Sequence, residues 1–198
     1  MIRIVALGDS TTAGTPGWMS PREAPPCGRG NEQSQFPWWL MRAHPEWEVL
    51  NRGVNGERSD QVRARFEDDV AAARPRAVVI IAGVNDVYQG LDAAHVIEHL
   101  GWMYRRARQA GIIPVAGTIV PYNTATPGQN RRMRDVNAWI RESGVEFADT
   151  RAAVAAAGSP DLLADSPDGL HPSPEGYRRM AEAIRPVLER VLATSRSH

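Results

Sequence analysis

The stretch IRIVALGDSTTAG, residues 2–14, decides the fold of this chain. Residues 2–7 are apolar except for Arg3, and Gly8 closes the run. An apolar run of this length that ends at glycine is typical of a buried parallel strand. Because open α/β sheets bind their ligands just beyond the carboxyl ends of the strands, Ser10 lies where a reacting group is expected. The alternative at this point is that Ser10 only caps the helix that follows.

The rest of the chain alternates between segments typical of strands and segments typical of helices. Residues 76–82 form the most hydrophobic run and are predicted to be the central strand. The alternation predicts an α/β fold, a three-layer α/β/α sandwich with right-handed crossovers and a parallel sheet of about five strands. The other predicted strands are residues 47–50, 112–120 and 145–147, and the predicted helices are residues 35–42, 92–109, 131–142 and 174–192 and one that begins at Ser59.

The length of 198 residues fits one domain, residues 1–198, because a chain of this size buries a core without disulfides or metal ions. Residues 158–174 are predicted to be a loop. Residues 15–34 are rich in Pro, Gly and polar side chains, and a connection of that length is usually functional or disordered. Trp18 lies in this connection, so we expect its indole to contact the substrate.

The charge balance argues against a nucleic-acid partner. The chain has 23 basic and 23 acidic side chains and therefore presents no broad basic face for a phosphate backbone. We expect no membrane span, because no apolar segment approaches the length that crosses a bilayer. The N-terminus lacks the pattern of a signal peptide, which predicts a cytoplasmic location unless a leader has been removed. The oligomeric state stays open.

The cysteine and histidine residues indicate neither a disulfide nor a metal centre. Cys27 is the single cysteine and has no neighbours at metal-ligand spacing. His95 and His99 lie one helical turn apart, a spacing that can bind a metal, but no third ligand is evident. We expect no metal and no cofactor, and we assign these two histidines and His44 to structure or to the surface.

Four segments carry polar side chains of the kind that active sites use. Residues 8–10, 51–56 and 83–86 each follow a predicted strand. Because the strands of a parallel sheet all point the same way, these three segments are expected to meet at one edge. The fourth segment, residues 168–171, brings an aspartate and a histidine from the far end of the chain.

The order and content of these segments resemble the SGNH hydrolases, also called the GDSL esterase and lipase family. The resemblance covers nearly the whole chain. The residues that give the family its name fall here on Ser10, Gly56, Asn85 and His171, and Asp168 matches the third member of its catalytic triad. The resemblance implies a flavodoxin-like α/β/α hydrolase fold, hydrolysis of ester bonds and no cofactor.

The chemistry of the triad residues supports the same assignment. A serine hydroxyl must lose its proton to a base as it attacks, and His171 is the candidate base because imidazole titrates near neutrality. Asp168 can accept the Nδ1–H of His171 and stabilise the imidazolium. Pro172 is expected to keep His171 extended at the rim of the cleft. The alternative, a surface turn before a helix, is less favoured because the chain order serine, aspartate, histidine fits a triad.

The resemblance also implies an oxyanion hole made of the backbone N–H groups of Ser10 and Gly56 and the side-chain amide of Asn85. Glycine lets a backbone amide approach a substrate closely or take a positive φ. Gly53 lies in the same loop as Gly56, and the sequence leaves open which of the two supplies the amide. Thr12 stands where the Gly-x-Ser-x-Gly elbow of α/β-hydrolases has its second glycine, so the chain departs from that pattern.

We therefore expect a serine esterase that cleaves a short-chain carboxylic ester of a small molecule through an acyl-enzyme on Ser10. The family also acts on O-acetyl groups of sugars, lysophospholipids and thioesters, so a lysophospholipase or thioesterase stays open. Thr11 replaces the leucine that the family more often has and fixes no subfamily. An alternative of another class is a flavodoxin-like module that binds phosphate at residues 9–14, but the P-loop sequence is absent.

Overall fold

The computed structural model describes residues 1–194 of the chain. The strands are β1 (Ile2–Gly8), β2 (Trp18–Met19), β3 (Arg29–Gly30), β4 (Trp47–Gly53), β5 (Ala77–Ile81), β6 (Ile113–Gly117), β7 (Glu146–Ala148), β8 (Ala155–Ala156) and β9 (Ser159–Leu163). The helices are α1 (Ser10–Ala13), α2 (Phe36–Ala43), α3 (Ser59–Ala64), α4 (Val84–Tyr88), α5 (Ala93–Gln109), α6 (Pro127–Glu142), α7 (Thr150–Val154) and α8 (Pro174–Thr194). A 3-10 turn at Glu32–Ser34 and a π-helical turn at Glu67–Ala71 complete the description.

Five strands form a central parallel sheet in the order β4-β1-β5-β6-β7. The N-terminal strand β1 is interior, with Ala6 opposite Asn51 of β4 and Val79 of β5. Every residue of β5 is buried, which is expected of a strand covered on both faces. The predicted five-stranded parallel α/β sandwich is confirmed.

The side chains of β1 alternate between two hydrophobic layers, because successive residues of a strand point to opposite faces of a sheet. Ile4 and Ala6 pack in the layer formed with α2 and α8, and Val5 and Leu7 pack in the layer formed with α3, α5 and α6. The helices contribute fully buried side chains to these two layers, among them Phe36, Leu40, Tyr177 and Ile184 in the first and Val62, Phe66, Leu100, Met103 and Met133 in the second.

Helix α6 begins four residues before its predicted start at residue 131. Thr126 caps it with a side chain that accepts from the backbone N–H of Gln129, whose own side chain accepts from the backbone N–H of Thr126. Pro127 fits the first turn because it has no N–H to leave unpaired. The apolar periodicity used for the prediction starts only inside the helix, so these capping residues fell outside it.

The predicted loops hold more regular structure than the sequence indicated. Residues 15–34 contain the antiparallel pair β2 and β3, and residues 158–174 contain β9, which pairs with β8. The prediction of residues 158–174 as loop is therefore wrong for its first part. Residues 195–198 of the predicted single domain lie outside the described residues. Within residues 1–194, no helix combines the length and apolar character that a membrane crossing needs.

Candidate active site

Ser10 is the first residue of α1 and follows β1 with one residue between them. Asp9 caps the helix, since its Oδ1 accepts from the backbone N–H of Thr11 at 2.9 Å. Gly14 ends the helix in the left-handed region, with φ 110°. The N–H groups in the first turn of a helix have no intrahelical acceptor, so the turn that positions the Ser10 hydroxyl also leaves its backbone N–H available.

Two glycines let α1 lie directly against the strand ends. A Cβ on Gly8 would lie 2.3 Å from Oγ1 of Thr12, and one on Gly53 would lie 2.0 Å from the backbone nitrogen of Ala13. These close approaches explain why both positions hold glycine. The N–H of Gly53 donates to Oδ1 of Asn51 at 3.0 Å, so this amide is already engaged within its own loop.

Gly56 has a different environment from Gly53. It adopts φ 77°, a conformation that favours glycine, and a Cβ there would meet no atom within 4 Å. Its neighbour Asn55 lines the cavity beside Ser10 and donates its backbone N–H to Oε1 of Glu23 at 2.9 Å. With Gly53 engaged, Gly56 is the glycine of this loop left to supply an oxyanion amide, and that role stays a proposal.

The side chains of Asp168, His171 and Ser10 form a continuous hydrogen-bonded chain. His171 Nδ1 lies 2.7 Å from Oδ2 of Asp168, and His171 Nε2 lies 2.9 Å from Oγ of Ser10. Oδ1 of Asp168 also accepts the backbone N–H groups of Leu170 and His171, at 2.9 and 2.8 Å. One carboxylate therefore fixes both the backbone and the imidazole ring of the histidine.

The electrostatics of Asp168 keep it ionised. Partial burial acts to raise its pKa, but the hydrogen bond from the His171 side chain and those from the backbone N–H groups of Leu170 and His171 outweigh burial, and its pKa lies below the ordinary value. Asp168 is thus a carboxylate at neutral pH and can only accept from the imidazole. This fixes the Nδ1–H tautomer and leaves Nε2 free to take the serine proton.

Asn85 lies in the first turn of α4, directly beyond β5. Gly83 makes the turn between them with φ 121°. One N–H of the Asn85 side chain donates to the carbonyl oxygen of Glu57 at 2.9 Å. The amide nitrogen has a second N–H, and Asn85 lines the cavity at Ser10, so the side chain is held in place with a donor to spare.

A cavity of about 220 Å³ opens beside Ser10, Asn85 and His171. Its other walls are mainly apolar and comprise Val84, Tyr88, Tyr122 and Leu170, together with Thr11 and Asn55. Tyr88 and Leu170 are exposed at its edge, whereas Tyr122 is only 2% exposed. The carboxyl ends of β1 and β5 thus meet the C-terminal loop around one small cavity, as the sequence predicted.

Trp18 is not among the residues that line this cavity. Its side chain is 7% exposed and packs inside its own loop, where a Cβ on Gly28 would lie 2.4 Å from Cζ2 of the indole. The structure therefore places Trp18 in the packing of β2 and β3. Its expected contact with substrate has no support from this position.

Arg65 joins the segments below the site, a role that sequence reasoning missed. Its guanidinium donates to the carbonyl oxygens of Gly8 at 2.8 Å and Arg52 at 2.7 Å, the ends of β1 and β4. It also pairs with the carboxylates of Glu57 and Asp69. Because these partners lie up to 57 positions away, no local pattern in the sequence could have indicated the network.

Asp9, next to the nucleophile, is buried. Burial, assisted by the negative charge of Asp86, raises the pKa of Asp9 to about 7, although the hydrogen bond from Thr11 and the charge of Arg65 oppose the rise. The buried carboxyl of Asp9 therefore changes charge near neutral pH, one residue away from the Ser10 hydroxyl.

His95 lies beside two carboxylates, Asp60 and Asp86, whose oxygens and the imidazole nitrogen are within 4.8 Å of one another. The sequence indicated no third metal ligand besides His95 and His99, whereas the structure places the carboxylates of Asp60 and Asp86 beside His95. Both carboxylates already have partners, since Asp86 accepts from the backbone and hydroxyl of Ser59 and Asp60 pairs with Arg58. His95 Nε2 lies 3.5 Å from Oδ1 of Asp86 and makes no hydrogen bond with any of the described residues, and the expectation of no metal stays a prediction.

Tyr122 and Asn123 also belong to the site, although the sequence analysis did not select them. Asn123 donates its backbone N–H to the carbonyl oxygen of Gly169 at 2.7 Å, and its Oδ1 accepts from the backbone N–H of Leu163 at 2.7 Å. These bonds tie the segment after β6 to the loop that carries His171. Ligands of an open α/β sheet bind beyond the carboxyl ends of its strands. Because this segment follows β6, the same argument could have selected its polar residues from the sequence.

Comparisons with known proteins identify the relatives of this chain and the proteins that share its fold. The sequence model of the GDSL-like Lipase/Acylhydrolase family matches residues 6–179. The lipoprotein YqeF of Bacillus subtilis (strain 168) is 29% identical over 125 residues, 60% of this chain and 48% of that protein. An acetylxylan esterase of Geobacillus stearothermophilus is 38% identical over 55 residues, 27% of this chain and 25% of that protein. The matches thus span about half the length of the first relative and a quarter of the second.

Solved structures share the fold. A G-D-S-L family protein from Desulfitobacterium hafniense DCB-2 superposes with a TM-score of 0.78 at 25% identity, covering 95% of this chain and 100% of that chain. The lipase/acylhydrolase from Enterococcus faecalis gives a TM-score of 0.74 at 20% identity, covering 96% of this chain and 97% of that chain. The α/β/α fold and the family expected from the four segments are confirmed.

Proposed function

This chain belongs to the GDSL-like Lipase/Acylhydrolase family. We propose that it is a hydrolase of ester bonds that cleaves short-chain carboxylic esters with Ser10 as its nucleophile. The observation that carries the proposal is the hydrogen-bonded chain from Asp168 through His171 to Ser10, with distances of 2.7 and 2.9 Å. Nucleophile, base and orienting carboxylate are in contact with one another beside a cavity, which is the arrangement that nucleophilic acyl transfer requires.

In the first half of the reaction, Ser10 Oγ attacks the carbonyl carbon of the ester while its proton passes to Nε2 of His171. Asp168 accepts from Nδ1–H throughout and stabilises the imidazolium that forms. The imidazolium then gives its Nε2 proton to the leaving alcohol as the carbon–oxygen ester bond breaks. The products of this half are the free alcohol and an acyl group bonded to Ser10.

The negative oxygen of the tetrahedral intermediate needs donors already in place. We assign this role to the backbone N–H of Ser10, the second N–H of the Asn85 side chain and the backbone N–H of Gly56. The hydrogen bond from Asn85 to Glu57 supports the assignment, because it holds the amide before substrate binds. Preorganised donors of this kind cost no rearrangement as the charge develops.

In the second half, water attacks the acyl carbon and transfers a proton to Nε2 of His171. The imidazolium returns this proton to Ser10 Oγ as the acyl–oxygen bond breaks, which releases the carboxylic acid and restores the enzyme. His171 therefore serves as base and then acid in both halves, and no cofactor is needed to balance the reaction.

The cavity favours a small acyl group. Its volume of about 220 Å³ lies below the roughly 300–1,000 Å³ that encloses drug-sized ligands. The similarity over 55 residues to an acetylxylan esterase also supports an O-acetyl group on a carbohydrate as the substrate. A lysophospholipase or thioesterase remains the alternative, and it would need the acyl chain to extend over the exposed edge formed by Tyr88 and Leu170.

The phosphate-binding alternative fits the site poorly. A phosphate at the start of α1 would face the buried carboxyl of Asp9, which caps that helix and loses its proton near pH 7. The negative charges of the phosphate and of the buried Asp9 carboxylate would repel each other strongly, because little water screens them there. The alternative also gives no role to the contact between His171 and Ser10.

The proposal is tested by hydrolysis of p-nitrophenyl acetate by the full chain. We expect release of p-nitrophenol by the wild type and loss of this release in Ser10→Ala. Ser143→Ala is the control for loss of a serine hydroxyl, because Ser143 follows α6 and donates its hydroxyl to the carbonyl oxygen of Ile140, away from the triad. Equal release by the wild type and Ser10→Ala would refute the proposal.

The location stays a prediction. One relative is named as a lipoprotein, so the cytoplasmic location expected from the N-terminus needs a direct measurement. The proposed partner is a small-molecule ester, and no partner chain is required to complete the triad.

A further inference from the structure

Glu57, in the loop that joins β4 to α3, contacts a residue of the proposed oxyanion hole from outside the cavity. Its backbone carbonyl accepts a side-chain N–H of Asn85 at 2.9 Å. Its carboxylate accepts the Nε–H of Arg65 at 2.7 Å. Glu57 is not among the residues that line the cavity beside Ser10. It therefore links a proposed oxyanion donor to the arginine below the site.

Arg65 gives the carboxylate of Glu57 a fixed position. The Arg65 side chain is only 9% exposed. Its guanidinium also donates to the carbonyl oxygens of Gly8 and Arg52, at 2.8 and 2.7 Å, where β1 and β4 end. Because a guanidinium is planar and its donors form a rigid fork, Glu57 is held at a set distance from these strand ends. The strand end at Gly8 leads directly to Ser10.

The loop around Glu57 has few other packed contacts. The two residues before it are exposed, and a Cβ on the glycine among them would meet no atom within 4 Å. The bonds on either side of Glu57 are those of the Asn55 N–H with Glu23 and of Ser59 with Asp86. Exposed segments with few packed contacts open locally with the least free energy. We therefore expect the place of the Glu57 carbonyl to depend on the bond of its carboxylate to a buried group.

We propose that Glu57 is a positioning residue for ester hydrolysis, which holds Asn85 in the oxyanion hole because its carboxylate is bound to Arg65. The inference rests on the proposed function, since it takes Asn85 as an oxyanion donor. Such donors are effective because they are in place before the charge develops. A displacement of about 1 Å in a reacting site can cost about 10²-fold in rate. Glu57 does not line the cavity, so its effect on the rate passes through Asn85.

The test is steady-state hydrolysis of p-nitrophenyl acetate by the full chain carrying Glu57→Ala. We expect kcat to fall by about 10- to 100-fold, with KM within about twofold of the wild type, because the oxyanion forms only after the substrate has bound. Glu57 is substituted instead of Arg65 because Arg65 also pairs with buried Asp69. Thermal unfolding checks that the variant is folded.

Glu57→Gln is the conservative variant. Its side chain keeps an oxygen that can accept the Nε–H of Arg65, so we expect its kcat to stay within about threefold of the wild type. A loss of kcat in Glu57→Gln as large as that in Glu57→Ala would contradict the role of the bond to Arg65.

A double variant shows whether Glu57 acts through Asn85. In a protein that already carries Asn85→Ala, the further change Glu57→Ala should lower kcat by less than about threefold, because the effects of residues that act as a unit do not add. A general disturbance of the fold would instead lower kcat equally in both backgrounds. The full 10- to 100-fold loss in the Asn85→Ala background would therefore overturn the inference.

Glu67→Ala is the matched control. Glu67 also binds an arginine through its carboxylate, since Arg106 donates to it at 2.6 and 2.8 Å, but this pair is exposed and lies outside the site. Its kcat should equal that of the wild type, and equal losses in Glu67→Ala and Glu57→Ala would contradict the inference. Wild-type kcat in folded Glu57→Ala would overturn the inference and leave the proposed function standing. Failure of the wild type to release p-nitrophenol would instead refute the proposed function, and the inference with it.

Discussion

The imidazole Nε2 of His171 lies 2.9 Å from Oγ of Ser10, although 161 positions of sequence separate the two residues. The sheet brings Ser10 to the end of an interior strand, and the loop before α8 brings His171 to the same place. The contact depends on Asp168, which bonds both the ring and the backbone of His171. Substitution of Asp168 or Ser10, the two ends of this series of hydrogen bonds, should therefore affect catalysis more than folding.

Asp168→Asn should lower kcat by up to about 10⁴-fold. The backbone N–H groups that bond Oδ1 of Asp168 would hold the amide oxygen, so the NH₂ group would face Nδ1 of His171 and favour the wrong tautomer of the imidazole. The measurement is steady-state hydrolysis of p-nitrophenyl acetate. Asp165→Asn is the control, since it neutralises an exposed carboxylate in the same loop. Similar activities of the two variants would show that Asp168 does not orient the base.

Asn85→Ala should lower kcat by about 10²- to 10³-fold, the usual cost of losing one oxyanion donor. We expect KM to change little, because the oxyanion forms only after the substrate has bound. Thermal unfolding of the variant checks that the fold survives. Turnover near that of the wild type in a folded Asn85→Ala protein would exclude Asn85 from the oxyanion hole.

Arg65→Met should destabilise the fold by about 3–5 kcal/mol, because it leaves a buried carboxylate of Asp69 without its main partner. The strand-end carbonyl of Gly8 loses a donor as well. Urea unfolding measures the effect. Arg106→Met breaks an exposed pair with Glu67 and should cost about 1 kcal/mol or less. Equal losses in the two variants would show that burial of the Arg65 network contributes nothing.

Asp9 should make the fold less stable as the pH rises towards neutrality. Its pKa is raised from 3.8 to about 7 in the folded chain, so between these values the native state binds more protons than the unfolded state. The free energy of unfolding therefore falls with rising pH in this window and is level above it. Asp9→Asn removes this contribution while keeping an oxygen for the helix cap.

The measurement is urea unfolding of the wild type and of Asp9→Asn at about pH 5 and about pH 8. These two conditions lie on either side of the raised pKa of Asp9. We expect the wild type to lose more stability than Asp9→Asn between the two conditions. The lowered pKa of Asp168 does not enter, because that carboxylate is ionised throughout this range. The same loss in both proteins would contradict a raised pKa at Asp9.

Local sequence patterns predicted those strands and helices whose own residues show a clear hydrophobic pattern. The apolar run of β1 and the strand-end position of Asn85 marked the sheet and its reactive edge, because burial and connectivity constrain these residues directly. The pair β2 and β3 gave no such signal, since strands of two residues show no alternation. Trp18 was expected in the pocket because it lies in the long connection after the nucleophile, whereas its position depends on the packing of this pair.

Long-range contacts account for the other omissions. The bonds of Arg65 to Gly8 and of Asn123 to Gly169 join segments that no periodicity connects. Tyr122, which lines the cavity, could nevertheless have been selected, because it lies just beyond β6 at the edge where the other site residues meet.

The most direct measurement of the central claim is the mass of the protein after reaction with a fluorophosphonate, which bonds an activated serine. The account predicts one adduct, located on the peptide that contains Ser10, and no adduct in Ser10→Ala. His171→Ala should form the adduct far more slowly, since the serine then has no base. An adduct on another residue, or labelling of Ser10 at the same rate in His171→Ala, would contradict the account.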